Sequence, residues 1–186
     1  LRPELPELVA EAKELGMWTN LITNGTLVTP DLARRLKEAG LDSAQVSLEA
    51  GSAELHDRIT AVPGAFEKCL AGARNLRAAG VRTHTNTTVS ALNKDALEPL
   101  LDAVKALGSD KFSMNMLMPV GSAGGNMRET FISYSEIGVA VKEAARLAEE
   151  RGLEFMWYSP TPMCVFNPVP LGLGNKGCAA CDGLLS

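Results

Sequence analysis

The stretch Trp18-Thr-Asn-Leu-Ile-Thr23, which ends at the turn Asn24-Gly25, decides the predicted fold. Thr19, Leu21 and Thr23 alternate along it, as residues on one face of a β-strand do. A strand buried between two layers of helices normally has two apolar faces. The threonines therefore indicate that one face of this strand meets water or a ligand.

Three later stretches repeat this pattern of a strand with a polar face. The residues that share these faces are Gln45, Ser47 and Glu49, then His84, Asn86 and Thr88, then Ser113, Asn115 and Leu117. Polar faces on successive strands predict a wet or ligand-filled cavity. That cavity favours an enzyme over a structural domain.

Helices and strands are predicted to alternate along the chain. The helices are expected near 3–15, 30–39, 65–79, 94–107 and 134–151, and the strands near 18–23, 43–48, 82–89, 111–117 and 154–158. This order predicts the α/β class, with parallel βα units. The polar faces favour a barrel over an open sheet, and 186 residues fall short of the ~250 of a complete TIM barrel. We therefore expect part of an incomplete, TIM-barrel-like (β/α) barrel over 1–158 and a Cys-rich extension over 159–186.

Composition narrows the range of partners. The net charge of −4 gives no basic surface for nucleic acid, and no apolar run approaches the ~20 residues needed to cross a bilayer. We expect neither a nucleic acid nor a membrane as partner. The chain does not begin with Met, and we interpret it as a fragment of a longer protein.

Three cysteines near the end of the chain are the sharpest local signal. Cys164 is followed by the pair Cys178-Ala-Ala-Cys181. Cysteine thiolates bind iron–sulfur clusters and zinc alike, so the spacing leaves both metals open, with inert thiols as a third interpretation. Cys69 falls on the apolar stripe of a predicted helix and is expected in the core.

The carboxyl ends of the strands are where βα folds place their chemistry. Glu49, at one such end, is an acceptor of the kind that holds ribose hydroxyls, although a solvated carboxylate explains it equally well. His56-Asp-Arg58 follows the same strand and is expected to open a short surface turn, with a ligand contact as the alternative.

The chain as a whole resembles radical S-adenosylmethionine (radical SAM) enzymes of the SPASM/twitch type. The ordered motifs that carry this resemblance are Ile22-Thr-Asn-Gly-Thr-Leu27, Val46-Ser-Leu-Glu49, His56-Asp-Arg-Ile59, Pro63-Gly-Ala-Phe66, Ala79-Gly-Val81, Thr88-Val89 with Asn93, and Met118-Pro-Val-Gly121. The Cys-rich tail is similar to the start of an auxiliary iron–sulfur domain, truncated at Ser186.

The resemblance implies an oxidoreductase or maturase that works in the cytoplasm. A [4Fe–4S] cluster would cleave S-adenosylmethionine to a 5′-deoxyadenosyl radical, which takes hydrogen from a peptide, a tetrapyrrole-like or another small-molecule substrate. An auxiliary iron–sulfur cluster and an electron donor such as a flavodoxin or a ferredoxin are implied as well.

Roles for individual residues follow from the same resemblance. Ser47 would contact the methionine carboxylate end of S-adenosylmethionine, Glu49 its ribose, and Met118 its adenine. The shared cofactor and substrate cavity would be lined by Thr23, Asn24, Asn86, Thr88 and Asn115. The auxiliary cluster would be held by Cys164, Cys178 and Cys181.

The chain departs from the family pattern at three places. It lacks both the C-x-x-x-C-x-x-C motif for the radical-generating cluster and the Gly-Gly-Glu-Pro segment, and both would precede Leu1. Thr60 stands where relatives often carry an arginine, and Arg58 is the candidate substitute. We expect this chain alone to be inactive. The alternatives are a conventional barrel enzyme, a lyase or aldolase, or a binding module, each with a structural zinc in the tail.

Overall fold

One parallel sheet forms the centre of the protein. A computed structural model describes residues 2–118 and 125–173. Its sheet has the strand order β1-β2-β3-β4-β5, and all neighbouring strands are parallel. The strands are β1 (Asn20–Thr23), β2 (Ser43–Ser47), β3 (Arg82–Val89), β4 (Lys111–Met116) and β5 (Glu154–Trp157). The predicted fold class is therefore confirmed.

Helices connect these strands. In the described part of the chain they are α1 (Leu5–Glu14), α2 (Pro30–Glu38), α3 (Ala53–Thr60), α4 (Ala65–Ala78), α5 (Leu97–Ala106), α6 (Met127–Thr130), α7 (Tyr134–Glu150) and a 3-10 turn at Val169–Leu171. The Thr29 hydroxyl caps α2 by accepting from the Leu32 N–H at 3.2 Å. Ser133 and Glu136 form a reciprocal capping box at the start of α7, as their spacing predicts.

Helix α3 corrects the prediction of a short surface turn at His56-Asp-Arg58. The helix begins after Ser52, whose hydroxyl accepts from the Leu55 N–H. It ends at Ala61, which adopts the left-handed conformation with φ 55°. The N-cap serine was the available sequence signal, and the short helix buries only His56, so it shows no long apolar stripe.

The two faces of the sheet have different environments. Strands that pair in chain order through right-handed crossovers place the connecting helices on one face. On β3 that face carries Thr83, Thr85 and Thr87, all buried under helices, whereas Asn86 and Thr88 on the other face are only half-buried. The second face therefore forms the lumen that the polar stripes of β2, β3 and β4 predict. On β1 the prediction was wrong: Leu21 pairs with buried Ala44 and Thr23 with buried Val46, so the stripe of Thr19, Leu21 and Thr23 lies on the helix side, and Ile22 shares the lumen face with Gln45.

The chain continues past β5 into residues 159–173, of which Thr161 and Phe166 are buried. The predicted boundary at 158 follows β5 directly and stays a prediction, as does the auxiliary domain. Cys178 and Cys181 lie outside the described residues. No described helix combines the length and apolarity that a membrane span requires.

Candidate functional site

The strand ends that the sequence singles out lie side by side at one edge of the sheet. In the parallel registers Ser47 pairs with Asn86 and Thr88 with Asn115, whereas Thr23 pairs with the apolar Val46 on the helix side. The polar residues of neighbouring strands therefore meet at this edge.

A chain of hydrogen bonds crosses the lumen face. Gln45 Nε2 donates to the Ser113 hydroxyl at 3.0 Å, and that hydroxyl lies 3.1 Å from Asn86 Oδ1. Asn86 Nδ2 donates to Asn115 Oδ1 at 2.6 Å, and Asn115 Nδ2 lies 3.4 Å from the Thr88 hydroxyl. These contacts fix both amides and make the Thr88 oxygen an acceptor, so its own hydrogen is available to a ligand.

Glu49 is held from several sides at the end of β2. Its N–H donates to Nδ1 of His56 at 3.2 Å, and its carboxylate Oε2 accepts from the Thr88 N–H at 2.8 Å. Burial raises the pKa of Glu49 to about 7, although the Thr88 N–H works in the opposite direction. The carboxyl group therefore keeps its proton to a higher pH than an exposed glutamate does.

His56 packs beneath the surface of the site and bonds to the backbone of Glu49. Its side chain is buried, and its ring packs edge-on against Phe66 with centroids 5.7 Å apart. Burial lowers the pKa of His56, with the Asp57 charge opposing the shift, so the ring is neutral. Since Nδ1 accepts the Glu49 N–H, the hydrogen of the neutral ring sits on Nε2. Asp57 of the same His56-Asp-Arg58 motif stabilises the start of α4, because its carboxylate accepts from the N–H groups of Gly64 and Phe66.

Two cavities meet at Glu49. The larger, of about 570 Å³, is lined in part by Asn24, Ser47, Glu49, His56, Thr60 and Lys68. The smaller, of about 340 Å³, is lined in part by Glu49, Ile59, Thr60, Thr88, Leu92 and Leu117. Glu49 and Thr60 belong to both, so the carboxylate borders the two cavities.

The turn after β1 rests on close backbone packing. Thr23 Oγ1 accepts from the Gly25 N–H at 3.1 Å, and Asn24 Oδ1 accepts from the Thr26 N–H at 3.2 Å. Gly25 has φ +76°, and a Cβ at Gly72 of α4 would lie 2.0 Å from the Gly25 carbonyl oxygen. The second glycine of this contact was not predicted, because it lies far from the first in sequence.

The other predicted site residues, Thr23 among them, line neither cavity. Met118 is exposed at the carboxyl end of β4, and the Pro119–Gly121 part of its motif is outside the described residues. Arg58 is exposed on α3 and does not line either cavity, whereas Lys68 does. Asn86 and Asn115 lie on the lumen face described above.

The cysteines divide into two environments. Cys69 is buried as predicted, its Sγ donates to the Ser47 carbonyl at 3.2 Å, and burial together with the Glu49 charge raises the pKa of its thiol to about 12. Cys164 is exposed. Within residues 2–118 and 125–173, no three His, Cys, Asp or Glu side chains are grouped so that they could hold a metal.

Comparison with known families decides the identity of this fold. The model of the Radical SAM superfamily matches residues 1–107. The chain belongs to the radical SAM superfamily. Family membership leaves the alternative of a conventional lyase or aldolase without support.

Radical SAM proteins from several organisms are similar to this chain. The AdoMet-dependent heme synthase of Methanosarcina barkeri is 37% identical over 120 residues, which cover 64% of this chain and 34% of that protein. The PqqA peptide cyclase of Ruegeria pomeroyi is 33% identical over 183 residues, 95% of this chain and 48% of that protein. The chain thus spans about a third to a half of these two relatives. They support the predicted SPASM/twitch type.

Solved structures confirm the fold. Streptococcus suis SuiB bound to S-adenosylmethionine superposes with a TM-score of 0.69 at 14% identity, over 85% of this chain and 35% of that one. The protein anSMEcpe with bound AdoMet and a peptide superposes with a TM-score of 0.65 at 15% identity, over 83% of this chain and 47% of that one. The incomplete barrel is therefore shown.

Proposed function

We propose that this chain is the S-adenosylmethionine-binding part of a radical SAM enzyme that acts on a peptide or a tetrapyrrole-like substrate. The observation that carries the proposal is the pair of cavities that meet at Glu49, on strand ends within the matched region 1–107.

The two cavities fit the two ends of S-adenosylmethionine. Ile59, Leu92 and Leu117 give the smaller cavity apolar walls suited to a flat adenine. The larger cavity offers the Ser47 hydroxyl and the Lys68 ammonium to the amino-acid end. Glu49, between them, can accept from both ribose hydroxyls, as carboxylates do in other nucleoside sites.

Lys68 is the cation that we assign to the methionine carboxylate. It lines the larger cavity and forms no ion pair within the described residues, so its charge is available to a ligand. Arg58 also forms no ion pair in the part of the chain that the structure describes, but it lines neither cavity. Ser47 stays our proposed neighbour of that carboxylate, and Met118 our proposed backbone contact for adenine.

The clusters belong to the whole protein in this proposal. The described residues supply no ligand set for a [4Fe–4S] cluster, and the C-x-x-x-C-x-x-C motif is absent from this sequence. A bound cluster would supply the electron that splits S-adenosylmethionine into methionine and a 5′-deoxyadenosyl radical, which takes a hydrogen atom from the substrate. Exposed Cys164 suits one ligand of an auxiliary cluster, with Cys178 and Cys181 as the proposed others.

The substrate class follows from the relatives and from the lumen. Relatives carry the names heme synthase and PqqA peptide cyclase, and SuiB has been solved with its precursor peptide SuiA. Asn86, Thr88 and Asn115 present amide and hydroxyl groups at the lumen face, which suit peptide groups or propionate carboxylates. A cytoplasmic setting and a flavodoxin or ferredoxin as electron donor complete the proposal.

The test uses the full-length protein, purified and reconstituted with iron and sulfide under anaerobic conditions. With dithionite and S-adenosylmethionine it should form 5′-deoxyadenosine, measured by liquid chromatography. Glu49→Ala should reduce that product strongly. A reconstituted protein that neither binds S-adenosylmethionine nor forms 5′-deoxyadenosine would overturn the proposal.

A further inference from the structure

At the ends of β2 and β3, hydrogen bonds from side chains replace the backbone hydrogen bonds between the two strands. The Leu48 N–H still donates to the Asn86 carbonyl at 2.9 Å, as in a parallel ladder. The Leu48 carbonyl, however, accepts from the Thr87 hydroxyl at 2.6 Å, and the Thr88 N–H donates to the Glu49 carboxylate at 2.8 Å. Past Leu48, therefore, these side-chain bonds maintain the spacing between the two chains.

Asn93 joins the two chains just beyond this point. Its Nδ2 donates to the Glu49 carbonyl at 2.9 Å and to the Thr88 carbonyl at 3.0 Å. Its Oδ1 accepts from the Ser90 N–H at 2.8 Å. The side chain is 1% exposed. Both amide hydrogens and the amide oxygen are thus used, and water has almost no access to replace them.

The two residues that Asn93 joins are both parts of the smaller cavity. Glu49 and Thr88 line it, and the Thr88 amide donates to the Glu49 carboxylate. His56 holds the other side of the same peptide segment through the Glu49 N–H. Any shift between the Glu49 and Thr88 backbones would therefore move the carboxylate relative to the cavity wall.

We propose that Asn93 is a positioning residue for the Glu49 carboxylate, holding it where it binds the ribose hydroxyls of S-adenosylmethionine. This inference rests on the proposed function, since it concerns the same site. Asn93 does not line either cavity itself, so its effect on a ligand passes through Glu49 and Thr88. Preorganised partners of this kind reduce the ordering cost of binding.

The experiment is a double-mutant cycle on the full-length protein. Calorimetry gives the dissociation constant of S-adenosylhomocysteine for the wild type, Asn93→Ala, Glu49→Ala and the double variant. Asn93→Ala should weaken binding by roughly tenfold, a size typical of coupled contacts. In the Glu49→Ala background the same change should have almost no further effect, because the group that it positions is gone.

Asn75 provides a matched control. Its Nδ2 also donates to a distant backbone carbonyl, that of Val28 at 2.8 Å, but it lies on α4 away from both cavities. Asn75→Ala should lower the melting temperature while leaving the dissociation constant unchanged. A second variant, Asn93→Asp, keeps the acceptor for Ser90 and removes the donors, and it should weaken binding like Asn93→Ala.

The outcomes separate the two proposals. Wild-type protein that binds neither S-adenosylhomocysteine nor S-adenosylmethionine and forms no 5′-deoxyadenosine overturns the proposed function. Wild-type binding combined with equal losses from Asn93→Ala in both backgrounds overturns the positioning role. If both Asn93 variants fail to fold, Asn93 is needed for the stability of the core, and the positioning role is overturned as well. Non-additive loss in folded variants supports it.

Discussion

The backbone N–H of Glu49 donates to Nδ1 of His56 at 3.2 Å, and this contact links a predicted ligand residue to a motif of unassigned role. From the sequence, His56 was expected either in a surface turn or in contact with a ligand. Its buried ring fixes the peptide that carries the carboxylate, and the same side chain lines the larger cavity, so the ligand contact stays a prediction. His56 therefore shapes the site from the protein side.

Substitution of His56 tests this link. His56→Leu removes the acceptor and leaves the Glu49 N–H without its partner, at a cost of about 1–3 kcal/mol in unfolding free energy. His56→Asn can place an acceptor oxygen near the Nδ1 position and should recover part of the loss. Chemical denaturation of both variants gives the comparison. Equal stability of His56→Leu and the wild type would contradict the assigned hydrogen bond.

The pH dependence of ligand binding follows from Glu49. Burial raises the folded-state pKa of this carboxyl group from 4.5 to about 7, so it takes up a proton as the pH falls through neutrality. The ionised form is the better acceptor for ribose hydroxyls. The affinity for S-adenosylhomocysteine should therefore rise between pH 6 and pH 8, around a midpoint of about 7.

Glu49→Gln supplies the control for that profile. Its amide does not titrate, so the same calorimetric series should be flat over this range. A profile in Glu49→Gln as steep as in the wild type would assign the titration to another group.

Stability should respond to pH through the same two side chains, with opposite signs. The folded-state pKa of Glu49 is raised, so the folded chain holds this proton more tightly than the unfolded chain does. The resulting contribution to the free energy of unfolding is fully present below pH 4.5 and is lost as the pH rises through about 7. The folded-state pKa of His56 is lowered, so stability falls as the pH drops below 6.5, where the unfolded chain binds the proton. Denaturation midpoints of the wild type, Glu49→Gln and His56→Asn across pH 5 to 8 separate the two contributions.

Lys68 and Arg58 make competing predictions for the methionine carboxylate. Lys68→Ala should weaken S-adenosylmethionine binding by about tenfold, comparable to the loss of a charge-assisted hydrogen bond. Arg58→Ala removes the same charge from an exposed position on α3 and should leave affinity unchanged. Calorimetry on both variants decides between them. A loss confined to Arg58→Ala would return the role to the residue first predicted.

The Gly25–Gly72 contact predicts a steric effect on the turn after β1. A Cβ at position 72 would lie 2.0 Å from the Gly25 carbonyl oxygen, so Gly72→Ala must displace backbone. We expect a loss of about 1–3 kcal/mol in unfolding free energy. Arg74→Ala, at an exposed position of the same helix, should change it by less than about 0.5 kcal/mol. Equal effects would show that α4 can move away from the turn.

The sequence predicted the fold well because its signals are local. The alternation along β2, β3 and β4 and the capping box at Ser133 each depend on residues a few positions apart, and the structure confirms them. The stripe of β1 was wrong, because it lies on the helix side of the sheet. Glu49 was predicted as an acceptor at a strand end, and its role stays a prediction. The larger surprise was the environment of β3, where buried threonines face the helices.

The parts that sequence reasoning missed depend on contacts between distant residues. The bonds from Asn93 to Glu49 span 44 positions, and the packing of α4 against Gly25 joins two elements whose sequences show no shared pattern. No sequence signal marked Lys68, because a lysine on a helix normally faces water. Only the folded chain places it at a cavity.

A crystal structure of the full-length protein with S-adenosylhomocysteine tests the central claim most directly. The account predicts ribose hydroxyls within hydrogen-bond distance of the Glu49 carboxylate, adenine between Leu92 and Leu117, and the amino-acid end near Ser47 and Lys68. A ligand bound elsewhere, with Glu49 facing only water, would contradict it.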